Sequence, residues 1–349
     1  MKPTIVFVHL GTPIPKYLLD NLRRTKIILG AAKVVLVLDE ANSHLNVQEY
    51  GVETFQFDWK KYSENLGITT PYLSHDTKFW DGYWQNTFNR LFAVGAYQAF
   101  TSGERVLHVE SDVVLFPNFP LNEFNKLEVL AWPRVSFHYD VASVVYSPSA
   151  AAYEEFLLEI TKMVEEDDCT TDMQAMSKFS RKFPDKVMAL PTTPPNSNYS
   201  LEVSRIEGDS AGWELFKGVF DGLTLGHWLT GKDARNSWGI RTRYTVPLNS
   251  PLNYSGYTFS LDSSDSIRLD SEFPVFNLHV HSKNSGYFRA FNRDFLLKEL
   301  ALVNRRSNRK SFSLAALYVF LRTHSHEYLR AILSAKKWLD LFRRLREKP

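Results

Sequence analysis

Cysteine is almost absent from this sequence, since Cys169 is the single cysteine among 349 residues. An intramolecular disulfide is therefore excluded, and so is a zinc site built from several cysteine ligands. Such a composition suits a reducing compartment, so we expect a cytoplasmic protein.

Long hydrophobic runs are missing as well. The longest uninterrupted apolar run covers residues 314–321, whereas a membrane-spanning helix needs about 20 apolar residues. The N-terminus, MKPTIVFVHLGTP, carries one Lys and an apolar stretch that ends in Gly-Thr-Pro, which predicts a first strand rather than a signal peptide. No internal repeat of about 20–50 residues is present, which argues against a solenoid.

The formal charge is close to neutral at +2, but it is unevenly distributed. Residues 303–349 contain 12 Lys and Arg against three Asp and Glu, so this segment carries +9 and residues 1–302 carry −7. Apolar residues recur in the segment at roughly helical spacing. This pattern predicts a basic amphipathic helix, which either lies on an anionic membrane or packs against protein. Because the basic charge is confined to this segment and no nucleic-acid-binding motif is present, we expect no nucleic-acid partner.

Strand-like and helix-like segments alternate along the rest of the chain, which is typical of an α/β protein with a mainly parallel sheet. The buried strands have near-continuous apolar sequences such as KVVLVL at 33–38. Predicted strands cover 5–10, 33–38, 105–109, 113–116, 141–146, 187–190 and 275–281, and predicted helices cover 17–27, 80–100, 150–164, 171–179 and 218–231.

The string RVLHVESDVVLF at 105–116 is the most informative for function. Side chains at i and i+2 of an extended chain lie on one face, so Glu110 and Asp112 are expected to point the same way, at the end of a buried strand. Two such carboxylates suit Mg²⁺ or Mn²⁺ bound together with substrate phosphates. The same acid-x-acid pattern recurs at 270–272, where it precedes a strand and predicts an ordinary turn.

VLHVESDVVLF resembles the DxD region of GT-A glycosyltransferases, in particular a bacterial group in which this region is similar to HLENDV. Further segments of the same group are matched in order by TIVFVHLG, VVLVLD, NTFNRLFAV, DVASVVYS, TTDMQAM, FDGLTLGHWLTGKDARN and NLHVHSKN. The resemblance implies a GT-A-like, Rossmann-like catalytic domain over 1–302, with a nucleotide-binding half at about 1–116 and an acceptor half at about 117–302. Residues 303–349 would be a separate helical extension.

The resemblance also implies a metal and diphosphate site. Glu110 and Asp112 would bind the metal and the diphosphate, with Asp112 in direct contact with the metal. His279 or His281 would add an imidazole ligand, and Lys283 would reach the phosphates. The expected cofactor is Mn²⁺ or Mg²⁺, and the expected co-substrate is a nucleotide sugar, with a UDP-sugar favoured.

Other donor-site residues are expected at the ends of the first strands and beside the acids. Asp39 can accept a hydrogen bond from a nucleobase or cap its loop. His9 and Gly11 would lie near the base, and Arg90 would bind phosphate or ribose or pair on the surface. Ser111, between the two acids, completes this set.

The residues beside the reacting sugar are expected among four positions. Asp172 and Gln174, in the segment TTDMQAM, are the first candidates. An inverting enzyme needs a carboxylate base, and a retaining enzyme needs a polar group near an oxocarbenium-like centre; both alternatives remain open. Asp221 and Asp233 are the alternatives for the base, although the glycines between them can equally serve close packing.

The sequence therefore predicts a metal-dependent glycosyltransferase that moves a sugar from a nucleotide sugar to a carbohydrate or glycolipid acceptor. From the resemblance we expect a role in bacterial surface-polysaccharide synthesis, in the cytoplasm or at the inner face of the membrane. Two alternatives remain: a phosphohydrolase or nucleotidyltransferase that uses the same acids, and a non-catalytic glycan-binding protein with this fold.

Overall fold

The fold is described from a computed structural model of the chain. The structure describes residues 2–11, 13–68, 83–135, 138–166, 171–194, 209–230, 254, 257–289 and 292–307.

A seven-stranded mixed sheet forms the centre of the molecule, with strand order β3-β2-β1-β4-β7-β6-β8. Strand β1 pairs in parallel with both β2 and β4, whereas β7 runs antiparallel to its two neighbours. The predicted α/β class with a mainly parallel sheet is thus confirmed. The seven strands are β1 Thr4–His9, β2 Val34–Leu38, β3 Glu53–Gln56, β4 Val106–Val109, β6 Leu130–Pro133, β7 Val144–Ser147 and β8 Val187–Leu190.

Among the described residues, five further strands lie outside this sheet. Strands β9, β10 and β11 form an antiparallel three-stranded sheet, and β5 pairs antiparallel with β12. Their bounds are β5 Val113–Leu115, β9 Phe259–Leu261, β10 Ile267–Leu269, β11 Phe273–Pro274 and β12 Asn277–His279.

Helices cover both faces of the central sheet. Within the described residues they are α1 Lys16–Leu29, α2 Trp59–Asn65, α3 Tyr83–Phe100, α4 Ala150–Glu165, α5 Asp172–Lys182, α6 Asp209–Phe216, α7 Thr224–Thr230, α8 Ser285–Phe288 and α9 Arg293–Ser307. None of these described helices has both the length and the apolar character needed to cross a bilayer. The domain boundary predicted at 302 falls within α9.

The central sheet is buried on both faces because each strand contributes alternate side chains to two cores. Val6 and Val8 of β1 pack with the helices α2 to α5, and Ile5 and Phe7 pack on the opposite face with α1 and α6. A third core surrounds β12, the small sheet, α7 and α9. The predicted apolar strands at β1, β2 and β4 are therefore interior strands of an α/β layer structure.

Three predicted elements differ in detail. The chain does not continue as one strand from 105 to 116, because a turn at 110–112 separates β4 from β5 and β5 pairs with β12 instead. The helix predicted at 218–231 begins only at Thr224, since Val219 forms a parallel bridge to Val275. The strand predicted at 275–281 is regular only over β12.

His108 of β4 is a fully buried imidazole whose Nδ1–H donates to the Val6 carbonyl at 3.0 Å. Burial, followed by the positive charge of Arg90, lowers the pKa of His108 from 6.5 to about 3. Between these values the unfolded chain binds a proton that the folded chain does not, so acid destabilises the protein.

We expect His108 alone to lower the free energy of unfolding by about 1.6 kcal/mol between pH 6.5 and pH 5. Urea unfolding across this range should show a shallower pH dependence for His108→Gln than for the wild type. The same change at exposed His44 is the control and should leave the slope unaltered. Parallel pH curves for His108→Gln and the wild type would contradict the burial of a neutral ring.

Candidate functional site

The carboxyl ends of β1, β2 and β4 meet at one edge of the central sheet because the three strands are parallel. The chain leaves β1 toward β2 on one side, and β4 lies on the other side, so the crevice between β1 and β4 is a topological switch point. Ligands of open α/β sheets bind at such crevices. Gly11, Asp39 and Glu110 follow these three strands, so the structure places them along the same edge.

The two acids of the sequence motif lie in a turn that is fixed at both ends. The Glu110 N–H donates to the Ser143 carbonyl at 3.1 Å, and the Val280 N–H donates to the Asp112 carbonyl at 2.8 Å. The turn closes through the Val113 N–H, which donates to the Glu110 carbonyl at 3.0 Å. The carboxylates therefore converge because of this turn and not because of the extended pleat predicted from the sequence.

Asn21 of α1 also supports this turn. Its fully buried amide donates to the Ser111 carbonyl at 3.1 Å and to the Val113 carbonyl at 2.8 Å. Sequence reasoning missed this residue. The signal was available, since Asn21 lies between Leu18 and Leu22 on the apolar stripe of α1, where an amide needs a buried partner.

His279, at the end of β12, brings its ring to the two carboxylates. Its Nε2 atom lies 3.4 Å from Glu110 Oε2 and 3.2 Å from Asp112 Oδ2. Its Nδ1–H donates to the Gly222 carbonyl at 2.8 Å. In the neutral ring, the lone pair of Nε2 therefore faces two carboxylate oxygens, an arrangement that calls for a cation between them.

The donor set fits a divalent metal. Ligand atoms of Glu110, Asp112 and His279 lie within 4.8 Å of one another, and all three residues are buried. Within the described part of the chain, Glu110 Oε2 is a buried oxygen that accepts no hydrogen bond. Two carboxylates and an imidazole suit Mn²⁺ or Mg²⁺, and the imidazole favours Mn²⁺. The backbone carbonyl behind the histidine is the usual second partner of a metal-binding imidazole.

Two basic side chains flank the acids. Arg90 of α3 contacts Glu110 Oε1 at 2.5 Å and Asp172 Oδ2 at 3.2 Å, so it joins two buried carboxylates. Lys283 forms an ion pair with Asp112 Oδ2, and its ammonium lies 5.5 Å from the centre of the Tyr17 ring. The structure thus gathers both cations and both acids of the predicted site in one crevice.

The charges of this cluster shift one another's protonation. Burial raises the pKa of Glu110, but the charge of Arg90, followed by the neighbouring His279 and Lys283, lowers it by more, so this pKa lies below its ordinary value. The pKa of Asp172 is raised, because burial outweighs the attraction of Arg90. Burial lowers the pKa of Lys283 to about 8, against the attraction of Glu110.

Asp172 is the first side chain of α5 and lies 3% exposed beside Arg90. Thr87 of α3 also hydrogen-bonds to its carboxylate, a contact that the sequence analysis did not anticipate. Gln174 is half-buried in the same first helical turn, where its N–H is capped by Thr171 Oγ1 at 3.2 Å. Asp172 joins the acid cluster through its ion pair with Arg90.

Asp39 organises the end of the predicted donor site at which the nucleobase is expected. Its Oδ2 accepts the Gly11 N–H at 2.6 Å, and its Oδ1 accepts from the Asn42 amide at 2.8 Å. Gly11 has a φ of +84°, a conformation that favours glycine, and a Cβ at this position would lie 3.6 Å from the Asn86 amide. His9 is the last residue of β1 and lies two residues before Gly11.

Asn86 connects this end of the crevice to the acids. It lies one helical turn before Arg90 on α3, so the two side chains share a face of the helix. Gly11, Asn86, Arg90 and Glu110 therefore follow one another along the crevice.

Asp221 and His281 have structural contacts of their own. Asp221 is 1% exposed and accepts three backbone N–H groups, from Leu225, Gly226 and His279. Burial nevertheless raises its pKa to about 6. His281 donates from Nε2 to the Leu223 carbonyl at 3.0 Å, and its ring stacks on His279 with the centroids 4.1 Å apart. The cluster of possible ligand atoms contains His279 and not His281.

Asp233 and residues 308–349, which include most of the basic extension, lie outside the described residues.

No protein-family model and no curated protein matches this sequence. Several solved structures resemble it in part. The glycosyltransferase GlyE of Streptococcus pneumoniae TIGR4 is 17% identical, with a TM-score of 0.34 over 54% of this chain and 45% of GlyE. The bifunctional glycosyltransferase WbbM is 13% identical, with a TM-score of 0.36 over 54% of this chain and 39% of WbbM.

A third similar structure is the bacterial N-acetylglucosamine transferase NleB. It is 11% identical, with a TM-score of 0.33 over 62% of this chain and 91% of NleB. The match to the first of these structures, GlyE, spans less than half of that protein's length.

Proposed function

We propose that this protein is a metal-dependent glycosyltransferase that moves a sugar from a nucleotide sugar to a carbohydrate or glycolipid acceptor. The observation that carries the proposal is the convergence of Glu110, Asp112 and His279 on one point, with Lys283 and Arg90 beside them. A cation held by acids, with basic side chains beside it, can bind a diphosphate leaving group. Their position at the switch point of the sheet supports nucleotide binding in the same crevice.

In this proposal Glu110, Asp112 and His279 hold the metal. When bound, it neutralises the negative charge that develops on the departing nucleoside diphosphate. Lys283, which pairs with Asp112, would supply a second positive charge to the same leaving group. A site with one metal and one ammonium matches the two negatively charged phosphates that it must bind.

Arg90 and Asp172 would act beside the reacting sugar. Arg90 holds the Asp172 carboxylate in place while it also pairs with Glu110, so the sugar subsite and the metal subsite share one side chain. Asp172 would bind the sugar hydroxyls or accept a proton, and Gln174 would line the same subsite. Asp39, His9 and Gly11 would bind the nucleobase and ribose end, and Ser111 would approach the diphosphate. Asp233 remains an alternative base in the proposal.

The finer assignments belong to the proposal too: a UDP-sugar donor, Mn²⁺ as the ion, surface-polysaccharide synthesis as the process, and binding to the inner face of the membrane through 303–349. The net charge of +9 on this segment supports the last of these.

Thermal unfolding of the full-length protein tests the donor site directly. Nucleoside diphosphates and nucleotide sugars should stabilise the protein in the presence of MnCl₂. A ligand at 100 times its dissociation constant adds about 2.7 kcal/mol of stability, a shift of roughly 4 °C for a protein of this size. The shift should require the metal, and it should favour uridine over other bases.

The control is Glu272→Gln, in the second acid-x-acid triplet, where the side chain is exposed. This variant should show the wild-type shift. If no nucleotide stabilises the wild type with or without Mn²⁺, the proposed donor site is wrong.

The two alternative functions predict other products. A phosphohydrolase or nucleotidyltransferase would release phosphate or pyrophosphate, whereas the proposed transferase releases the whole nucleoside diphosphate as the sugar is transferred. A glycan-binding protein would bind sugar without metal. Chromatography of the nucleotide products after incubation with radiolabelled UDP-sugars and Mn²⁺ separates these outcomes.

A further inference from the structure

Three consecutive residues, Asp221 to Leu223, each contact the segment 277–281. This segment comprises β12 and both histidines and is called the histidine strand below. Asp221 Oδ2 accepts the His279 backbone N–H at 2.8 Å. The Gly222 carbonyl accepts His279 Nδ1–H at 2.8 Å, and the Leu223 carbonyl accepts His281 Nε2–H at 3.0 Å. Residues 221–223 therefore hold the His279 backbone, the His279 ring and the His281 ring in place.

The Asp221 carboxylate is fully occupied by these and nearby contacts. Besides the His279 N–H, it accepts the Leu225 N–H at 3.0 Å and the Gly226 N–H at 2.7 Å, both at the start of α7. The main chain of Asp221 exchanges two hydrogen bonds with the Asn277 side chain on β12. The side chain is 1% exposed, so it is sealed between α7 and β12 rather than presented to the crevice.

The close approach of α7 to β12 requires glycine. A Cβ on Gly226 would lie 1.9 Å from the His279 carbonyl oxygen, and a Cβ on Gly222 would lie 2.8 Å from Val135. The first contact is with a backbone atom and would force a backbone shift, whereas the second would require the Val135 side chain to move. The glycine spacing of this segment therefore brings a helix start against the end of the histidine strand.

We infer that Asp221 is a positioning residue that orients the metal ligand His279, and not the catalytic base considered for it from the sequence. By holding the His279 backbone, Asp221 keeps the ring where its Nδ1–H meets Gly222 and its Nε2 faces Glu110 and Asp112. The pairing with Gly222 selects the tautomer whose Nε2 lone pair is available to a cation. This inference rests on the metal site of the proposed function.

Asp221→Asn should loosen this arrangement. An amide presents one oxygen and one NH₂ group, and in either orientation the NH₂ group faces at least one of the three backbone N–H donors. Loss of such a supporting partner weakens metal binding by about 10- to 100-fold.

The experiment is a double-mutant cycle on Mn²⁺ affinity, measured by titration calorimetry on the full-length wild type, Asp221→Asn, His279→Ala and the double variant. We expect each single variant to bind Mn²⁺ more weakly. We also expect Asp221→Asn to cause no further loss once His279 is alanine, since its effect passes through that ring. Independent losses that multiply in the double variant would overturn the inference, as would unchanged affinity in Asp221→Asn.

Asp140→Asn is the matched control for general damage. Asp140 is also a fully buried carboxylate, bonded to Trp132 Nε1 at 2.8 Å and to Ser180 Oγ at 2.5 Å, but its described contacts do not include the histidine strand. We expect this variant to melt at a lower temperature and to keep the wild-type Mn²⁺ affinity. Equal losses of affinity in the two Asp variants would overturn a specific role for Asp221.

The wild type provides a test that does not depend on the folding of Asp221→Asn. In ¹⁵N-histidine NMR spectra with Mg²⁺, the His279 signal, assigned by its absence in His279→Ala, should show a protonated Nδ1 and an unprotonated Nε2. The opposite tautomer would overturn the inference. Absence of any Mn²⁺ binding by the wild type would overturn the metal site as well, whereas metal binding with an unaffected Asp221→Asn variant would overturn this inference alone.

Discussion

Asp112→Asn is expected to lower the metal-dependent rate of sugar transfer by roughly 100-fold to 10,000-fold. Lewis-acid stabilisation of a leaving group is worth several kcal/mol, and each 1.36 kcal/mol corresponds to a factor of ten in rate. Asp112 has the most direct role in that stabilisation, because its Oδ2 atom faces His279 Nε2 at 3.2 Å and also pairs with Lys283. The measurement is the initial rate of transfer as a function of Mn²⁺ concentration.

Two controls make this result specific. Glu272→Gln removes an exposed carboxylate from the equivalent sequence pattern and should leave the rate unaltered. A circular dichroism melt of Asp112→Asn should show a cooperative transition, which separates loss of metal from loss of fold. Full activity of Asp112→Asn would contradict a metal site at this turn.

Arg90→Met is expected to lower the free energy of unfolding by about 3 kcal/mol at pH 7 in the absence of metal. Arg90 pairs with Glu110 and Asp172, whose side chains are 10% and 4% exposed, and its removal leaves two buried carboxylates without their counter-charge. Removing one partner of a buried ion pair costs about 3–5 kcal/mol. Urea unfolding of both proteins without divalent ions gives the difference.

The loss of stability caused by Arg90→Met should also depend on pH. The pKa of Glu110 is lowered in the folded protein, so its contribution to stability is present above the unfolded value of 4.5 and is lost as pH falls through the lower folded value. The pKa of Asp172 is raised by burial, so this group destabilises the fold at neutral pH, and the cost falls as acid protonates it. The cost of Arg90→Met should therefore shrink as the solution is acidified.

A second substitution tests the cause. Asp172→Asn in the Arg90→Met background removes one of the uncompensated charges and should recover part of the lost stability. Arg181→Met, at the end of α5 in the same helix as Asp172, is a control for loss of an arginine away from the acids. Equal losses at Arg90 and Arg181 would contradict the role of Arg90 between Glu110 and Asp172.

The sheet was predictable because burial on both faces leaves a strong signal in sequence. The strands at 4–9, 34–38 and 106–109 are near-continuous apolar segments, and their carboxyl ends carry polar residues such as Asp39 and Glu110. The hydrophobic period and the residue composition of a strand are local properties, so they can be recognised from the sequence alone. The parallel arrangement follows from the helical segments between these strands.

The geometry of the acids was less predictable. The spacing of Glu110 and Asp112 suggested one face of an extended strand, but the chain turns between them and crosses to a different sheet. The turn depends on Asn21, Ser143 and Val280, which are distant in sequence. Hydrogen bonds between such distant partners leave no periodic signal.

The chain's own residue order determined the apolar strands, the alternation with helices, and the presence of two acids and two histidines at strand ends. Only the tertiary structure decided that His279 rather than His281 turns toward the acids, that Arg90 joins Glu110 to Asp172, and that Asp221 is enclosed behind the histidine strand. The physical reason is that strand and helix formation depends on neighbours along the chain, whereas the direction of a buried polar side chain depends on which partners the completed fold brings within hydrogen-bonding distance.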